Sequence, residues 1–158
     1  TSNGEGSGYI VPGTGIMLNN MMGEDDLHPD GFHSSQPGVR ISSMMSPSIL
    51  TRGNEVKLVL GSGGSKRIRS AITQVISNHV DFRQDISQAV EAPRLHWDGE
   101  TLQMEPGFSG ETLTKLTEYF PTNVWKRHDL YFGGVHSIDS VSGAGDKRRG
   151  GNAVMIDR

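Results

Sequence analysis

Across residues 46–60 two apolar runs flank a turn, and the second of them alternates. Ile49 and Leu50 precede Arg52-Gly53-Asn54-Glu55, and Val56, Leu58 and Leu60 follow it on one face, with Lys57 and Val59 on the other. Apolar runs on both sides of the turn, the second with a period of two, predict a β-hairpin. Its second strand runs straight into Gly61-Ser62-Gly63-Gly64-Ser65, and beyond that point the period changes. Ile68, Ala71, Ile72, Val75 and Ile76 recur at spacings of three and four, the single apolar stripe of a helix. Asp85 with Gln88 three residues on has the form of a capping box, opening a short second helix that Pro93 ends. Residues 102–104 read as a strand. Ser109 caps a helix carrying Leu113, Leu116 and Phe120, and 124–125, 135–138 and 153–156 read as further strands. Towards the N-terminus, Ile10-Val11 and Ile16-Met17-Leu18 are short apolar runs between glycines, read as strand pieces. Residues 23–40, rich in Asp, His, Pro and Gly, form a long surface loop, a length usually associated with function or disorder. Helices and strands mix without strict alternation, which favours an α+β fold over a doubly wound sheet. No repeat or linker divides the chain, so residues 1–158 read as a single domain.

Composition narrows the classes. The 158 residues are 34% hydrophobic and 21% charged, with a net charge of -3, which suits a globular chain rather than a disordered one. A pI of about 6.0 without a basic stripe points away from nucleic acid. The absence of cysteine excludes disulfides and thiolate metal sites. No apolar run approaches the roughly 18 residues of a membrane span, and the sequence opens with neither an initiator methionine nor a signal-peptide pattern. Glycine is the outlier, at 21 residues, with clusters at 4–8, 61–64 and 143–151. Such clusters mark backbone brought close to a ligand, or a set of tight turns.

Three segments and two scattered sets of residues could carry chemistry. The strand–GSGGS–helix junction offers free N–H groups at a positive helix end, suited to an anion or an oxyanion, or it is a plain tight turn. It matches neither the Walker pattern nor G-x-G-x-x-G, because Lys66 stands where the last glycine belongs. In Arg40-Ile41-Ser42-Ser43-Met44-Met45-Ser46-Pro47, adjacent serine hydroxyls could donate to a carboxylate, or simply lead into a strand. In 143–151, Lys147, Arg148 and Arg149 offer an anion site or a solvated turn. His28 and His33 lack the spacing of a helical zinc motif, and Asp25, Asp26 and Asp30 lack the EF-hand pattern, so no metal site is expected. Thr1 could be a nucleophile with its own amine as base, or could open the chain by accident of truncation.

Taken in order, TSNGEGSG, GTGIMLNN, RISSMMSPSI, LGSGGSKRI, EAPRLHW and GAGDKRRGG closely resemble the small subunit of gamma-glutamyltransferases along nearly the whole chain. That resemblance implies an N-terminal-nucleophile hydrolase, a four-layer αββα sandwich, self-cleaved before a threonine in a Thr-Thr-His type motif. The sequence contains no such motif. On the family pattern Thr1 falls on a later threonine that hydrogen-bonds the nucleophile rather than attacking, and Asn3 contacts the substrate. The first strand of the small subunit, the nucleophile and the large subunit of the same precursor are thus expected outside this chain. The lone chain is expected to be inactive and prone to self-association. The resemblance puts the donor's α-carboxylate on Ser42 and Ser43 and the oxyanion hole on the Gly63-Gly64 backbone; read one position along, the donors become Gly64 and Ser65. Met21 replaces a polar family residue, and Glu24, followed by Asp25 and Asp26, is the expected partner of the donor's α-amine. The implied activity is hydrolysis or transfer of a gamma-glutamyl amide such as glutathione through an acyl-threonine, without metal or organic cofactor. The implied compartment is the periplasm or cell exterior, with the cytoplasm as the alternative. Two other readings stand beside it: a glutaryl- or cephalosporin-acylase-like amidase, and a non-catalytic domain that binds amino-acid-like ligands or contacts a partner chain.

Overall fold

The computed structural model describes residues 6–156. The chain divides into two compact units, Thr1–Met45 and Ser46–Arg158.

In the first unit the two apolar runs fold back on each other around 12–15. Ile10 and Met17 form an isolated bridge, and the Val11, Leu18 and Ser7 amides donate to Ile16 O, Tyr9 O and Leu18 O at 3.0–3.1 Å. The expected strand pieces are therefore a bridge rather than strands, because neither run has a second ladder to join among the described residues. Two short 3₁₀ turns follow, Met21–Gly23 and Asp25–Leu27. The rest of this unit, to Met45, is irregular chain, and it includes most of the 23–40 stretch read as a loop.

The second unit holds two sheets. In the larger, β1 (Ser48–Arg52), β2 (Glu55–Gly63), β6 (Gly134–Asp139) and β7 (Gly143–Ala144) run antiparallel in the order β1-β2-β6-β7. The hairpin forms as its alternation predicts. Leu58 and Leu60 point into the core, while Val56, beside the turn, stays exposed. Helices α1 (Arg67–Val80) and α2 (Ile86–Glu91) cover that inner face. Ile68, Ala71, Ile72 and Val75 from α1 and Ile86, Ala89 and Val90 from α2 meet Leu58, Leu60 and Val135 in the core. The Asp85 capping box is present in full, its carboxylate accepting from the Gln88 amide at 2.8 Å. On the outer face Ile49, Val59 and Ile138 stand side by side across three strands, 63%, 39% and 52% exposed.

The smaller sheet comprises β3 (Leu95–Trp97), β4 (Leu102–Met104) and β5 (Thr122–Val124). β4 and β5 are parallel, joined by α3 (Gly110–Tyr119), since parallel neighbours need a crossover. Ser109 caps α3 as predicted, accepting from the Thr112 amide at 3.1 Å. Trp125 lies just past β5, yet its amide still donates to Met104 O at 2.8 Å. These elements make the α+β fold that the pattern foretold. A further expectation fails: residues 153–156 form no strand. β7 already occupies the free edge of β6 and is only two residues long, so this segment finds no ladder. Val154, Met155 and Ile156 are left exposed.

Candidate active-site turn

The junction from β2 to α1 is an unusual turn. Gly64 has φ +130° and Ser65 φ +53°. Gly64 is obligatory twice over: the backbone conformation is closed to other residues, and a Cβ there would sit 2.9 Å from the Gly133 Cα. Ser65 is held in the left-handed region without being glycine, which costs on the order of 1–3 kcal/mol and persists where the surroundings over-determine it. The Arg67 and Ile68 amides donate to Gly64 O and Ser65 O at 3.0 Å, starting α1 without any side-chain cap. Among the described residues the Gly64 N–H meets no acceptor. The turn thus leaves an available donor beside the positive end of a 14-residue helix.

The neighbouring chain is clamped in place. The buried Ser62 hydroxyl donates to Gly63 O at 2.8 Å and accepts from the Gly134 amide at 3.2 Å, stapling the end of β2 to β6. The 3₁₀ turn Leu130–Phe132, leading to Gly133, packs against Gly64. Arg67 holds it through Nε to Tyr131 O at 3.0 Å, with its guanidinium 4.7 Å above the Tyr131 ring. That ring in turn stacks on Trp125 at 4.9 Å.

The 143–151 loop reaches the same place from the other end of the sequence, and it separates the three basic residues that are adjacent in sequence. Lys147 pairs with Glu91 at 2.5 Å. Arg148 is buried: it bonds Glu105 through Nε at 2.7 Å and Nη2 at 2.5 Å, Asp146 at 3.3 Å, and the carbonyls of Val90 and Ala92 at 3.0 and 2.9 Å. Arg94, also buried, bonds Asp146 at 2.7 Å, and the Val135 amide donates to Asp146 at 2.8 Å. Burial alone would raise the Asp146 carboxyl, but Arg94, the Arg148 amide and guanidinium and the Val135 amide together hold it below the usual carboxylate value. Burial would likewise lower Arg148, and its bonds to Glu105 more than reverse this. Arg149 is left for the turn. A Cβ on Gly134 would collide with its stem, and its guanidinium carbon lies 3.4 Å from where a Gly63 Cβ would be, with Nη2 3.8 Å from that of Gly64. The one hydrogen bond of its side chain among the described residues is to Leu130 O at 3.4 Å.

Of the residues expected to act, Gly63 and Gly64 belong to this turn. Glu24, Ser42 and Ser43 belong to the first unit. Glu24 is half-buried where the two 3₁₀ turns meet, its amide donating to Met21 O at 3.2 Å and its carbonyl accepting from Leu27 at 3.1 Å. Ser42 and Ser43 are exposed, and Ser43 Oγ accepts from the Met45 amide at 3.2 Å. Thr1 and Asn3 lie outside the described residues. Sequence reasoning missed the buried quartet of Arg94, Glu105, Asp146 and Arg148, whose only local sign is Asp146 two residues before Arg148, capping the turn Lys147–Arg149. No group of His, Asp or Glu that could hold a metal occurs among the described residues, and no helix is long and apolar enough to cross a membrane.

Residues 1–156 match the family model described as gamma-glutamyltranspeptidase. The glutathione hydrolase proenzyme of Bacillus subtilis (strain 168) is 31% identical over 162 positions, which cover 96% of this chain and 27% of that protein. The acylase ACY 1 proenzyme of Pseudomonas sp. (strain SE83) is 37% identical over 95 positions, 60% of this chain and 17% of that protein. The structure of gamma-glutamyltranspeptidase from Pseudomonas nitroreducens complexed with L-DON superposes with a TM-score of 0.79 at 28% identity, covering 100% of this chain and 91% of that one. The chain therefore spans about a quarter of the length of the Bacillus proenzyme, at 27%.

Proposed function

Because this chain belongs to the gamma-glutamyltranspeptidase family, we propose that it forms part of an enzyme that hydrolyses or transfers gamma-glutamyl amides, glutathione among them. The observation that carries this reading is the Gly64 turn: a fixed backbone donor, with no acceptor among the described residues, at the positive end of α1. A donor held in this way stabilises the charge that develops when an amide carbonyl is attacked.

In this reading the nucleophile is a threonine outside the chain, with its own amine as base. Its oxygen bonds to the amide carbon and its proton passes to that amine. The carbonyl electrons move onto oxygen, facing the Gly63-Gly64 backbone. Collapse breaks the C–N bond, and the proton leaves with the departing amine. Water or an acceptor amine then releases the acyl group. Thr1 hydrogen-bonds the nucleophile, Asn3 contacts the substrate, Ser42 and Ser43 bind the donor's α-carboxylate, and Glu24 binds its α-amine. No metal or organic cofactor enters these steps. The large subunit of the same precursor is the partner chain, and the exposed row Ile49, Val59 and Ile138 is surface for the rest of that assembly to cover. The compartment we favour is the periplasm or cell exterior.

The acylase reading keeps a specific support. Met21, in place of a polar residue, is buried and cannot accept a strong hydrogen bond, and an acylase proenzyme is among the relatives. The two readings are separated in the full-length protein by kcat/KM on gamma-glutamyl- and glutaryl-p-nitroanilide, repeated with Glu24→Gln. A site built around a buried amine rejects the deaminated analogue by about 10⁴ or more. We expect much weaker discrimination here, reduced further in Glu24→Gln. Failure to cleave either anilide would sink the enzymatic reading.

A further inference from the structure

Glycine does not hold a φ of +130° by itself, because its backbone is the freest of all. The Gly64 N–H keeps one direction only if something outside the residue stops the turn from relaxing. Gly133 is that obstacle. A Cβ on Gly64 would lie 2.9 Å from the Gly133 Cα, and a Cβ on Gly133 would lie 3.0 Å from Ala71 Cβ and Ser62 Oγ and 3.1 Å from Gly63 O. The two glycines are therefore packed backbone to backbone, and Gly133, at φ +82°, ends the 3₁₀ turn Leu130–Phe132. One side chain spans both parts. Arg67 opens α1, and its amide donates to Gly64 O at 3.0 Å. Its half-buried guanidinium crosses to the far turn, with Nε donating to Tyr131 O at 3.0 Å and the carbon 4.7 Å from the Tyr131 ring centre. That ring is backed by Trp125 at 4.9 Å. Trp125 is tied to β4 by its indole N–H on Gln103 Oε1 at 2.9 Å and its amide on Met104 O at 2.8 Å. A planar guanidinium suits this place, since it can donate to a carbonyl and lie on an aromatic face at once.

We infer that Arg67 is a positioning residue for the oxyanion donor: by clamping the 130–133 turn it keeps Gly133 against Gly64, and so sets the direction of the Gly64 N–H. The inference rests on that N–H being the oxyanion donor, as proposed above. Arg67 acts through Gly133 and Gly64 rather than on the substrate. Its effect belongs to the transition state, because a misaimed donor is missed only once the carbonyl oxygen carries charge.

The test uses the full-length protein with gamma-glutamyl-4-nitroanilide as donor. Arg67→Gln is expected to lower kcat at least about 10-fold, less than outright removal of an oxyanion donor would. KM should stay within about two-fold, as for an interaction made only in the transition state. Two inhibitors provide the reading that general loosening of the fold would not give. L-2-Amino-4-boronobutanoic acid forms a tetrahedral adduct with the nucleophile, and its affinity should fall in parallel with kcat. L-Glutamate, which binds without becoming tetrahedral, should bind as before. Arg67→Lys, which keeps the charge and loses the planar group, should recover part of kcat. Tyr131→Leu, which removes the ring and leaves the carbonyl, should show a smaller loss of the same kind, and it serves as the test if the glutamine variant does not fold. An unchanged kcat, or equal weakening of both inhibitors, would overturn the inference while leaving the proposed function standing. No turnover by the unmutated protein would instead remove the reading on which it rests.

Discussion

Asp146 has no exposed surface and lies between two guanidinium groups, Arg94 at 2.7 Å and Arg148 at 3.3 Å. Burying such a group is favourable only because every partner is present. Removing its charge strands two buried cations on the one remaining carboxylate, Glu105. Asp146→Asn is therefore expected to destabilise the fold by about 3–5 kcal/mol, read from the midpoint of urea unfolding. Lys115→Ala, which breaks the exposed pair with Glu111, should cost no more than about 1 kcal/mol. The pH dependence follows from the lowered carboxyl pKa. The stability contributed by Asp146 is fully present above the usual aspartate value near 3.8 and is lost as pH falls through the lower folded value. The asparagine variant should lack that part of the acid-unfolding slope.

At the level of elements, the signals that came through were local ones. The Asp85–Gln88 box and the Ser109 cap are set by residues three apart, and both form as read. α2 has only six residues, so its start leans on that cap. Asp85→Ala is expected to cost about 1 kcal/mol, visible as a lower thermal midpoint and as faster amide exchange at Gln88. Elements that depend on a distant partner were harder to read. Residues 153–156 have strand-like composition but no free edge to pair with, and 10–18 settle for one bridge. The stripe of α3 was legible, yet Leu113 and Leu116 are only half-buried and Phe120 is exposed. Periodicity reveals which face is apolar, not what will cover it. The candidate site divides in the same way. The glycine turn was visible as an anion site or a tight turn, because glycine runs carry backbone information. The burial of Arg148 was not, because contacts 43 to 58 positions away decide it.

At the scale of the whole molecule, the larger sheet has one face under helices and one that presents Ile49, Val59 and Ile138 in register. Apolar rows of this kind drive association when nothing covers them. The chain purified by itself is expected to self-associate in a concentration-dependent way by sedimentation velocity. The pair Val59→Lys and Ile138→Lys should return it towards monomer. Monomeric behaviour of the unmutated chain across the accessible range would show that this face needs no cover. The buried quartet has a different consequence, for synthesis on the ribosome. Glu105 is made 43 positions before Arg148, and Val90 58 before it. A nascent chain halted short of position 148 holds two acidic groups and Arg94 with no second cation to balance them, so its core cannot close in the native way. Helices and hairpin can form as they emerge, but the locking of this unit awaits one late arginine. A released chain ending just before Arg148 is expected to be protease-sensitive, and the chain that includes it resistant.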